Sequence, residues 1–539
     1  MNAASFACGL ALALAFPRAG LAPLAWVGPA PWVAILALSS PARGFRRGYL
    51  FGLGFFGCLL GWVHAVLVHY TALPLFVSLP IWLLLIAYLA LFPASFGAVV
   101  AALARRSLGG ALSLVPVLWV GFEFVRGRLL GGFPWGSAGY ARAGGLALLQ
   151  AASLGGVALV SFLLATTWSA AAALLLAQRP LAGARRRSHL ALATVALGVV
   201  IMAHLLGALR LRSNPPTGRA RFLEGSEGSL PAAMPEAGGF GIALVQGGYG
   251  GDLDYEQGKR ALGAYIDLSR GAARERPALI VWPESNAPFQ PLETPGYLQT
   301  LQELSEETGS LLLLGGVGGG ERTGLTNSAF LIGPDGLRAR YEKRHLVPYG
   351  EYVPLKGIFP FIRHFVPEAG EFVPGTQVGI FEVGRRRIGI SICYEMIFAE
   401  EITLQARGAA DLLVNITNDS WYQWGGPWQH ADFTVLRAIE SGLFTARAAS
   451  TGRTLLVDPL GRILAAGPIG GAAVLEAWIP PPPASAHPAG RTFYARLGDW
   501  VGKGCATIST IALAFLVVVN IIDRRQAGVP QVPLHEDSG

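Results

Sequence analysis

The sequence predicts a membrane α-helical bundle of about eight spans, with one α/β domain inserted before the last span. Three observations carry this. Apolar residues make up 52% of the 539-residue chain and charged residues only 14%, whereas soluble domains carry about 25% charge. The apolar residues concentrate in long runs over residues 1–209 and in one further run near the C-terminus. Residues 239–480 instead alternate short apolar runs with polar segments, and roughly 240 residues suit one large α/β domain.

A spanning helix needs about 20 apolar residues. The candidate runs are 4–16, 21–39, 49–70, 76–104, 111–125, 148–177, 189–209 and 506–522. The first is short, ends at Pro17-Arg18 and lacks a basic leader, so it reads as a retained span or a half-span rather than a cleaved signal. Pro80 and Pro93 predict bends in the fourth. Basic residues follow every second run: Arg43, Arg46 and Arg47, then Arg105 and Arg106, then Arg179 and Arg185 to Arg187, then Arg524 and Arg525. The positive-inside rule assigns those exits to the cytoplasm, which leaves both termini inside and the large domain outside. The net charge of +8 is accounted for by these clusters, so nucleic acid is not an expected partner. Arg126 and Arg128 fall on the outer side. Nearby Glu123 sits near the end of a hydrophobic run, where a carboxylate needs a partner. A helix-end pair with arginine is one reading; a headgroup or structural contact beneath the outer domain is the other.

Short apolar segments at 241–246, 278–282 and 311–314 predict buried strands, separated by helices at 256–273 and 295–308. Further strands are expected at 326–332, 378–383, 387–392, 411–415, 444–449, 453–457, 463–465 and 472–478, with helices at 399–406 and 428–442. Strands alternating with helices, then hairpins, imply a layered sandwich. The expected division is a bundle of about seven spans over 1–210, a linker over 211–238 and the outer domain over 239–480. A proline-rich linker over 481–505, a final span over 506–522 and a cytoplasmic tail over 523–539 complete it.

Of four cysteines, Cys8, Cys58 and Cys505 fall in or beside hydrophobic runs, which leaves Cys393 as a free thiol in the polar domain. Cys393 ends the apolar run Ile390-Ser391-Ile392. Glu284 ends Ile280-Val281-Trp282-Pro283, and Lys343 lies in Tyr341-Glu342-Lys343-Arg344-His345. All three sit just past apolar segments, where α/β sheets place their sites. Taken singly, each has a bland reading: a surface carboxylate, a solvated lysine in a polar loop, a buried small hydrophobe. Together, a base for the thiol and a cation for a developing oxyanion are what acyl transfer by cysteine requires.

The order and context of WPES, EKRHLVPYGEYVP and CYE resemble the Glu-Lys-Cys triad of the nitrilase superfamily. That resemblance implies an α-β-β-α sandwich. Phe122 to Gly127, Gly132-Phe133-Pro134-Trp135, Asn418-Asp419-Ser420-Trp421-Tyr422 and Gly426-Pro427-Trp428-Gln429-His430 extend it. Within the superfamily they resemble the apolipoprotein N-acyltransferase family over essentially the whole chain. The resemblance implies Glu284 as base, Lys343 as oxyanion cation and Cys393 as nucleophile. Glu351 is implied as a further essential carboxylate. Tyr394 and Glu395 either share in the chemistry or orient the turn of the nucleophile. The implied reaction moves an acyl chain from a phospholipid donor to the α-amine of a diacylated apolipoprotein, at the periplasmic side of a bacterial inner membrane. No cofactor or metal is implied, and a monomer is expected. The chain departs from the family at Tyr255, where a Trp is usual, and at Ser450-Thr451, where two Asn are usual.

Segment 355–366 is apolar with interspersed cations. With Phe359 and Phe361 it reads either as a lid dipping into the outer leaflet or as a buried core segment. Trp421, Trp424 and Trp428 read equally as an interfacial belt or as core. Tyr255, Phe359, Phe361, Trp421 and Trp424 are the candidate lipid contacts. Two rival functions remain. A membrane-tethered amidase would need no lipid and no bundle. A transporter or receptor would carry more polar residues midway through its spans than this chain has; His64 and His69 lie near the outer end of the third.

Overall fold

A computed structural model describes the chain apart from residues 71–73, 142–144, 179–182, 224–238, 252, 285–288, 321–323, 354–370, 423–424, 482–490 and 528–539. The apolar runs are helical because a lipid phase leaves no partner for a backbone polar group outside its own segment. Three helices near the N-terminus are short: α1 (Asn2–Leu14), α2 (Pro23–Val27) and α3 (Ala30–Ala37). Next come α4 (Pro41–Leu59), α5 (Gly61–Tyr70), α6 (Leu75–Ala104), α7 (Leu108–Arg126), the short α8 (Gly145–Leu149), α9 (Ala152–Ala177) and α10 (Gly183–Ser213). In the outer domain lie α11 (Tyr255–Ala272), α12 (Tyr297–Thr308), α13 (Ala399–Arg407) and α14 (Gly426–Ser441), and α15 (Phe493–Leu497) and α16 (Trp500–Ala527) close the chain.

Among the described residues five helices are long and apolar enough to cross a membrane: Leu75–Ala104, Leu108–Arg126, Ala152–Ala177, Arg187–Ser213 and Trp500–Asp523. A sixth is reached if α4 and α5, bent by 54°, count as one span. The expected count of eight is therefore not confirmed. Run 4–16 becomes a 13-residue helix, about 20 Å long at 1.5 Å per residue against a hydrocarbon core of about 30 Å. Run 21–39 is divided by Gly28-Pro29 into α2 and α3. Helices α4 and α6 pack closely through small residues: a Cβ on Gly48 would stand 2.1 Å from the Pro93 carbonyl oxygen. Trp32, buried at the centre, stacks on Phe51 at 3.9 Å and meets Trp119 edge-on.

Two ion pairs define the faces of the bundle. Arg106, just before α7, pairs with Asp523 of α16 at 2.8 Å. Arg128, just past the other end of α7, pairs with Glu400 of the α/β domain. The domain thus sits at the face opposite Arg106.

Its strands form two sheets. The first has seven strands in the order β1 (Arg219–Leu223), β13 (Ala473–Ile479), β2 (Phe240–Gln246), β3 (Leu279–Val281), β4 (Leu311–Gly320), β5 (Gly324–Gly333), β6 (Gly336–Glu342). The second has six: β12 (Ile463–Ala466), β11 (Leu455–Val457), β10 (Phe444–Ala449), β9 (Leu412–Thr417), β8 (Arg386–Ile392), β7 (Ile380–Val383). Leu244, Val281 and Leu313 of one sheet share a core with Ile390, Val414 and Ala446 of the other. Helices α11 and α12 cover the outside of the first sheet through Tyr265 and Leu301. Ile402 of α13 and Leu436 of α14 join a cluster that continues into the bundle, so this helical layer is the floor on which the domain rests.

Three expectations are corrected. Residues 219–223, assigned to a linker, form the edge strand β1 against β13. The final helix starts at Trp500, not at 506, because its first turns pack on the bundle through Val501 and Cys505. Lys343, expected just past an apolar segment, follows β6, a strand absent from the expected set, in which Leu337, Ala339 and Tyr341 alternate with Arg338, Arg340 and Glu342. Segment 355–366, with Phe359 and Phe361, lies outside the described residues, as does Trp424.

Candidate active site

Strands β2, β3 and β4 run parallel, as do β8, β9 and β10. Their C-terminal ends deliver Glu284 after β3, Cys393 after β8 and Asn418 after β9 to one edge of the sandwich, where such sheets place their sites. β6 is antiparallel to β5, which is antiparallel to β4, so Lys343 emerges at the same edge. Gly315 permits this crowding. A Cβ there would stand 2.1 Å from the Glu284 carbonyl oxygen.

The Lys343 side chain is 1% exposed, and its ammonium donates to Glu284 Oε1 at 3.1 Å and Glu351 Oε1 at 2.9 Å. Asn327 Nδ2 bridges the same two oxygens, at 2.7 and 2.5 Å. The remaining Glu284 oxygen accepts from the Asn418 backbone N–H at 2.9 Å, and that of Glu351 from the Val347 N–H at 2.7 Å. Burial opposes the charge on Lys343, but the two carboxylates outweigh it and hold the ammonium well above the ordinary lysine value. Burial alone would also raise Glu284. The ammonium and the Asn327 and Asn418 donors overcome it and keep this carboxyl below the usual range.

Cys393 is 5% exposed and takes φ +49°, a left-handed conformation that costs a non-glycine residue of order 1–3 kcal/mol and persists only where its surroundings over-determine it. Burial, then the Glu284 carboxylate, push its thiol up, while the Lys343 ammonium works the other way. The resting sulfur is therefore a protonated thiol beside an ionised carboxylate. Glu395 holds the turn. Its buried carboxylate accepts from the N–H of Ile392 at 2.8 Å, the N–H of Arg344 at 2.7 Å and the Tyr341 hydroxyl at 2.7 Å. This carboxylate ties the strand end carrying Cys393 to the segment carrying Lys343. Tyr394 is buried and packs edge-on against Phe398.

Several contributors escape a reading of the sequence. Asn327 lies in a strand, and its bridging role exists only once Glu284 and Glu351 converge. Asp419, His430 and Arg447 form a wholly buried cluster: Arg447 Nη2 reaches both Asp419 oxygens at 2.7 Å, and His430 Nδ1 is 3.0 Å from Asp419 Oδ1. The departure at Ser450 keeps a polar link, since its hydroxyl donates to Asn418 Oδ1 at 2.7 Å. Tyr255 opens α11, 61% exposed, edge-on to Phe289. Trp421 is 38% exposed. Gly251 N–H donates to Ser420 Oγ at 3.1 Å, which brings the segment before Tyr255 beside the turn carrying Trp421. Trp428 faces Arg18 at 5.5 Å. Glu123 accepts from Trp119 Nε1 and the Ala138 N–H, while Arg126 donates to the Trp135 carbonyl and Ser137; both hold the loop after α7 in place beneath the outer domain. Among the described residues no three His, Cys, Asp or Glu are grouped to hold a metal ion.

Comparison with known proteins gives a consistent picture. Residues 8–171 match the family model for the apolipoprotein N-acyltransferase N-terminal domain, and residues 241–482 match that for carbon-nitrogen hydrolase. The apolipoprotein N-acyltransferase of Geobacter metallireducens is 36% identical over 520 residues, covering 94% of both chains. That of Methylococcus capsulatus is 32% identical, again over 94% of each. Among solved structures, an amidase of the nitrilase superfamily from Nesterenkonia is 19% identical, covering 47% of this chain and 94% of its own, with a TM-score of 0.37. Near full-length identity to such relatives, with both domains in their expected order, means that the chain belongs to the apolipoprotein N-acyltransferase family.

Proposed function

We propose that this membrane protein transfers an acyl chain from a phospholipid, through a thioester on Cys393, to the α-amine of the N-terminal S-diacylglyceryl cysteine of an apolipoprotein. The single observation that carries this reading is the buried ammonium of Lys343 clamped between Glu284 and Glu351 beside a thiol on a strained turn. Glu284 takes the thiol proton as sulfur attacks the ester carbonyl carbon. Lys343 meets the oxyanion that forms, and the expected second donor is the Tyr394 N–H. The ester C–O bond then breaks, and Glu284 returns the proton to the departing lysophospholipid oxygen. In the second half the amine attacks the thioester, Glu284 accepts the amine proton and passes it to the leaving sulfur as the amide forms, which restores the thiol and the carboxylate. Glu351 keeps Lys343 charged and aimed.

The membrane is part of this chemistry. Each CH₂ drawn into water costs about 0.8 kcal/mol, so a chain of roughly 16 carbons would cost on the order of 10 kcal/mol. Both substrates are confined to the bilayer, and the site must meet them at its surface. The bundle face that carries the α/β domain lies opposite Arg106. Dropping the two short N-terminal runs as a pair leaves the alternation of basic exits intact. Both support a periplasmic domain on a bacterial inner membrane. The exposed rings of Tyr255 and Trp421 suit contact with the acyl chain. The N-terminal family match supports this reading over a tethered amidase.

The test is a labelled phospholipid given to the purified protein. A hydroxylamine-sensitive acyl adduct is expected on the parent and none on Cys393→Ala; an adduct persisting in Cys393→Ala overturns the assignment. Glu284→Gln should slow adduct formation by about a hundredfold or more, and unchanged kinetics would remove Glu284 as base.

A further inference from the structure

A strained turn must be held by something, and the nucleophile's carbonyl has two partners. His430 Nε2 lies 3.2 Å from Cys393 O, and Asn415 Nδ2 lies 3.5 Å from it. We propose that His430 is a positioning residue for the acyl transfer: its Nε2–H pins the Cys393 carbonyl and thereby fixes the turn that aims both the thiol and the Tyr394 N–H. The inference rests on Cys393 being the nucleophile.

The physical link is the peptide plane. Because the bond between Cys393 and Tyr394 is planar and trans, fixing its C=O also fixes the N–H on the opposite side. A peptide at φ +49° lies near the edge of what an L-residue tolerates, so loss of that contact frees it to rotate toward an ordinary conformation. The thiol and the expected oxyanion donor would both leave their places.

The ring itself is held from every side. Only a proton on Nε2 makes the contact with Cys393 O attractive, since a lone pair there would face another lone pair. Burial first, and Arg447 second, lower the His430 pKa from its ordinary value, against Asp419 and the Cys393 carbonyl, which raise it; the contact with that carbonyl places a proton on Nε2. Nδ1 lies 3.0 Å from both Arg447 Nη2, a donor, and Asp419 Oδ1, an acceptor, so the two together anchor that side of the ring. Arg447 is anchored by Asp419 and by Asn415 Oδ1, each at 2.7 Å, and Thr417 Oγ1 adds a donor to Asp419 at 3.1 Å. The two residues that touch the carbonyl are thus joined through one guanidinium.

The remaining walls come from the membrane bundle. Trp135, fully buried, lies 5.9 Å from the His430 ring and donates from Nε1 to Gln429 Oε1 at 2.7 Å. Gln429 Nε2 reaches the Leu59 carbonyl of α4 at 3.3 Å. Tyr422 meets His430 edge-on at 5.0 Å and Trp62 of α5 at 5.0 Å. The outer end of the bundle therefore seats the start of α14, and α14 holds the nucleophile.

The experiment measures single-turnover acyl-enzyme formation from a radiolabelled phospholipid with the full chain in detergent, for His430→Phe, His430→Gln and His430→Asn, with Cys393→Ala as the blank. His430→Phe keeps a ring and loses both hydrogen bonds. Its rate at saturating donor should fall about tenfold or more, with the half-saturating donor concentration within about twofold of the parent. His430→Gln, which keeps an N–H near the Nε2 position, should recover to within about threefold of the parent, and His430→Asn, whose amide falls short, should not. A His430→Phe rate within about twofold of the parent overturns the proposal, as does equal loss in the Gln and Asn variants. If His430→Phe does not fold, the Gln and Asn pair decides, and failure of that pair to fold also overturns it. An adduct on Cys393→Ala sinks the nucleophile assignment instead.

Discussion

Replacing Lys343 by Met removes the ammonium, keeps an unbranched side chain and leaves two buried carboxylates facing one another. The parent distances are 3.1 Å to Glu284 and 2.9 Å to Glu351, with side chains 8% and 12% exposed. At such a separation and an effective dielectric of about 20, one ammonium–carboxylate attraction is worth roughly 5 kcal/mol, or about four pKa units. Asn327 and Asn418 still donate to Glu284 in the variant, so part of that is recovered, and a shift of at least about one unit is the safe expectation. The sign follows from the base's role. In the parent the Glu284 pKa lies below the usual range, and the rate is lost only as pH falls through that depressed value. In Lys343→Met burial and the facing Glu351 carboxylate are opposed only by the Asn327 and Asn418 donors, so the folded pKa rises above the unfolded one and the acid limb moves toward neutrality. Stability follows the same linkage: it is greatest below the unfolded pKa and declines as pH rises through the folded one, so the variant should melt higher at pH about 4 than at pH about 7. Loss of the oxyanion cation should lower the rate at optimal pH by about a hundredfold to a thousandfold. The assay is single-turnover acyl-enzyme formation from labelled phospholipid at pH about 4 to 9, with melting curves alongside. An acid limb within about 0.3 units of the parent would refute the Coulombic coupling between Lys343 and the base.

Three further outcomes follow from the same geometry. The raised thiol pKa of Cys393, set by burial and then by Glu284, means that iodoacetamide labelling above the Cys393→Ala background should stay slow up to pH about 9; a midpoint at or below about 8 would contradict it. Tyr341→Phe strips one donor, at 2.7 Å, from the buried Glu395 carboxylate and should lower stability by about 1–3 kcal/mol in denaturant melts, while an unchanged midpoint would show that Glu395 does not depend on it. Gly315→Ala drives a Cβ to 2.1 Å from the Glu284 carbonyl oxygen, so the base must move; first-turnover rates should drop by about a hundredfold, and full activity would mean that the strand end yields without displacing Glu284.

Much of the site was legible one residue at a time. Lys343 and Cys393 stand directly after β6 and β8, and Glu284 three residues past β3; the apolar runs before Glu284 and Cys393 are visible in sequence. Asn327 was not legible. Its neighbours Thr326 and Ser328 are polar as well, and nothing local distinguishes the amide that bridges two carboxylates from those that do not. β6 was missed because its apolar residues, Leu337, Ala339 and Tyr341, alternate with charged ones and form no continuous apolar run. β1 was missed because an edge strand of five residues gains its order from β13, more than 200 positions away.

The sequence by itself determined the membrane character, the order of bundle and α/β domain, and the chemical types at the strand ends. Those properties depend on local hydrophobicity, periodicity and residue identity, which are written along the chain. Only the tertiary structure decided that the second N-terminal run breaks into two short helices at Gly28-Pro29, that Glu351 and Asn327 converge on Lys343, and that His430 reaches the Cys393 carbonyl while Trp135 of the bundle backs it. These are contacts between residues far apart in the chain. Burial strengthens their charges and hydrogen bonds, and burial exists only after the two sheets and the bundle have closed around them.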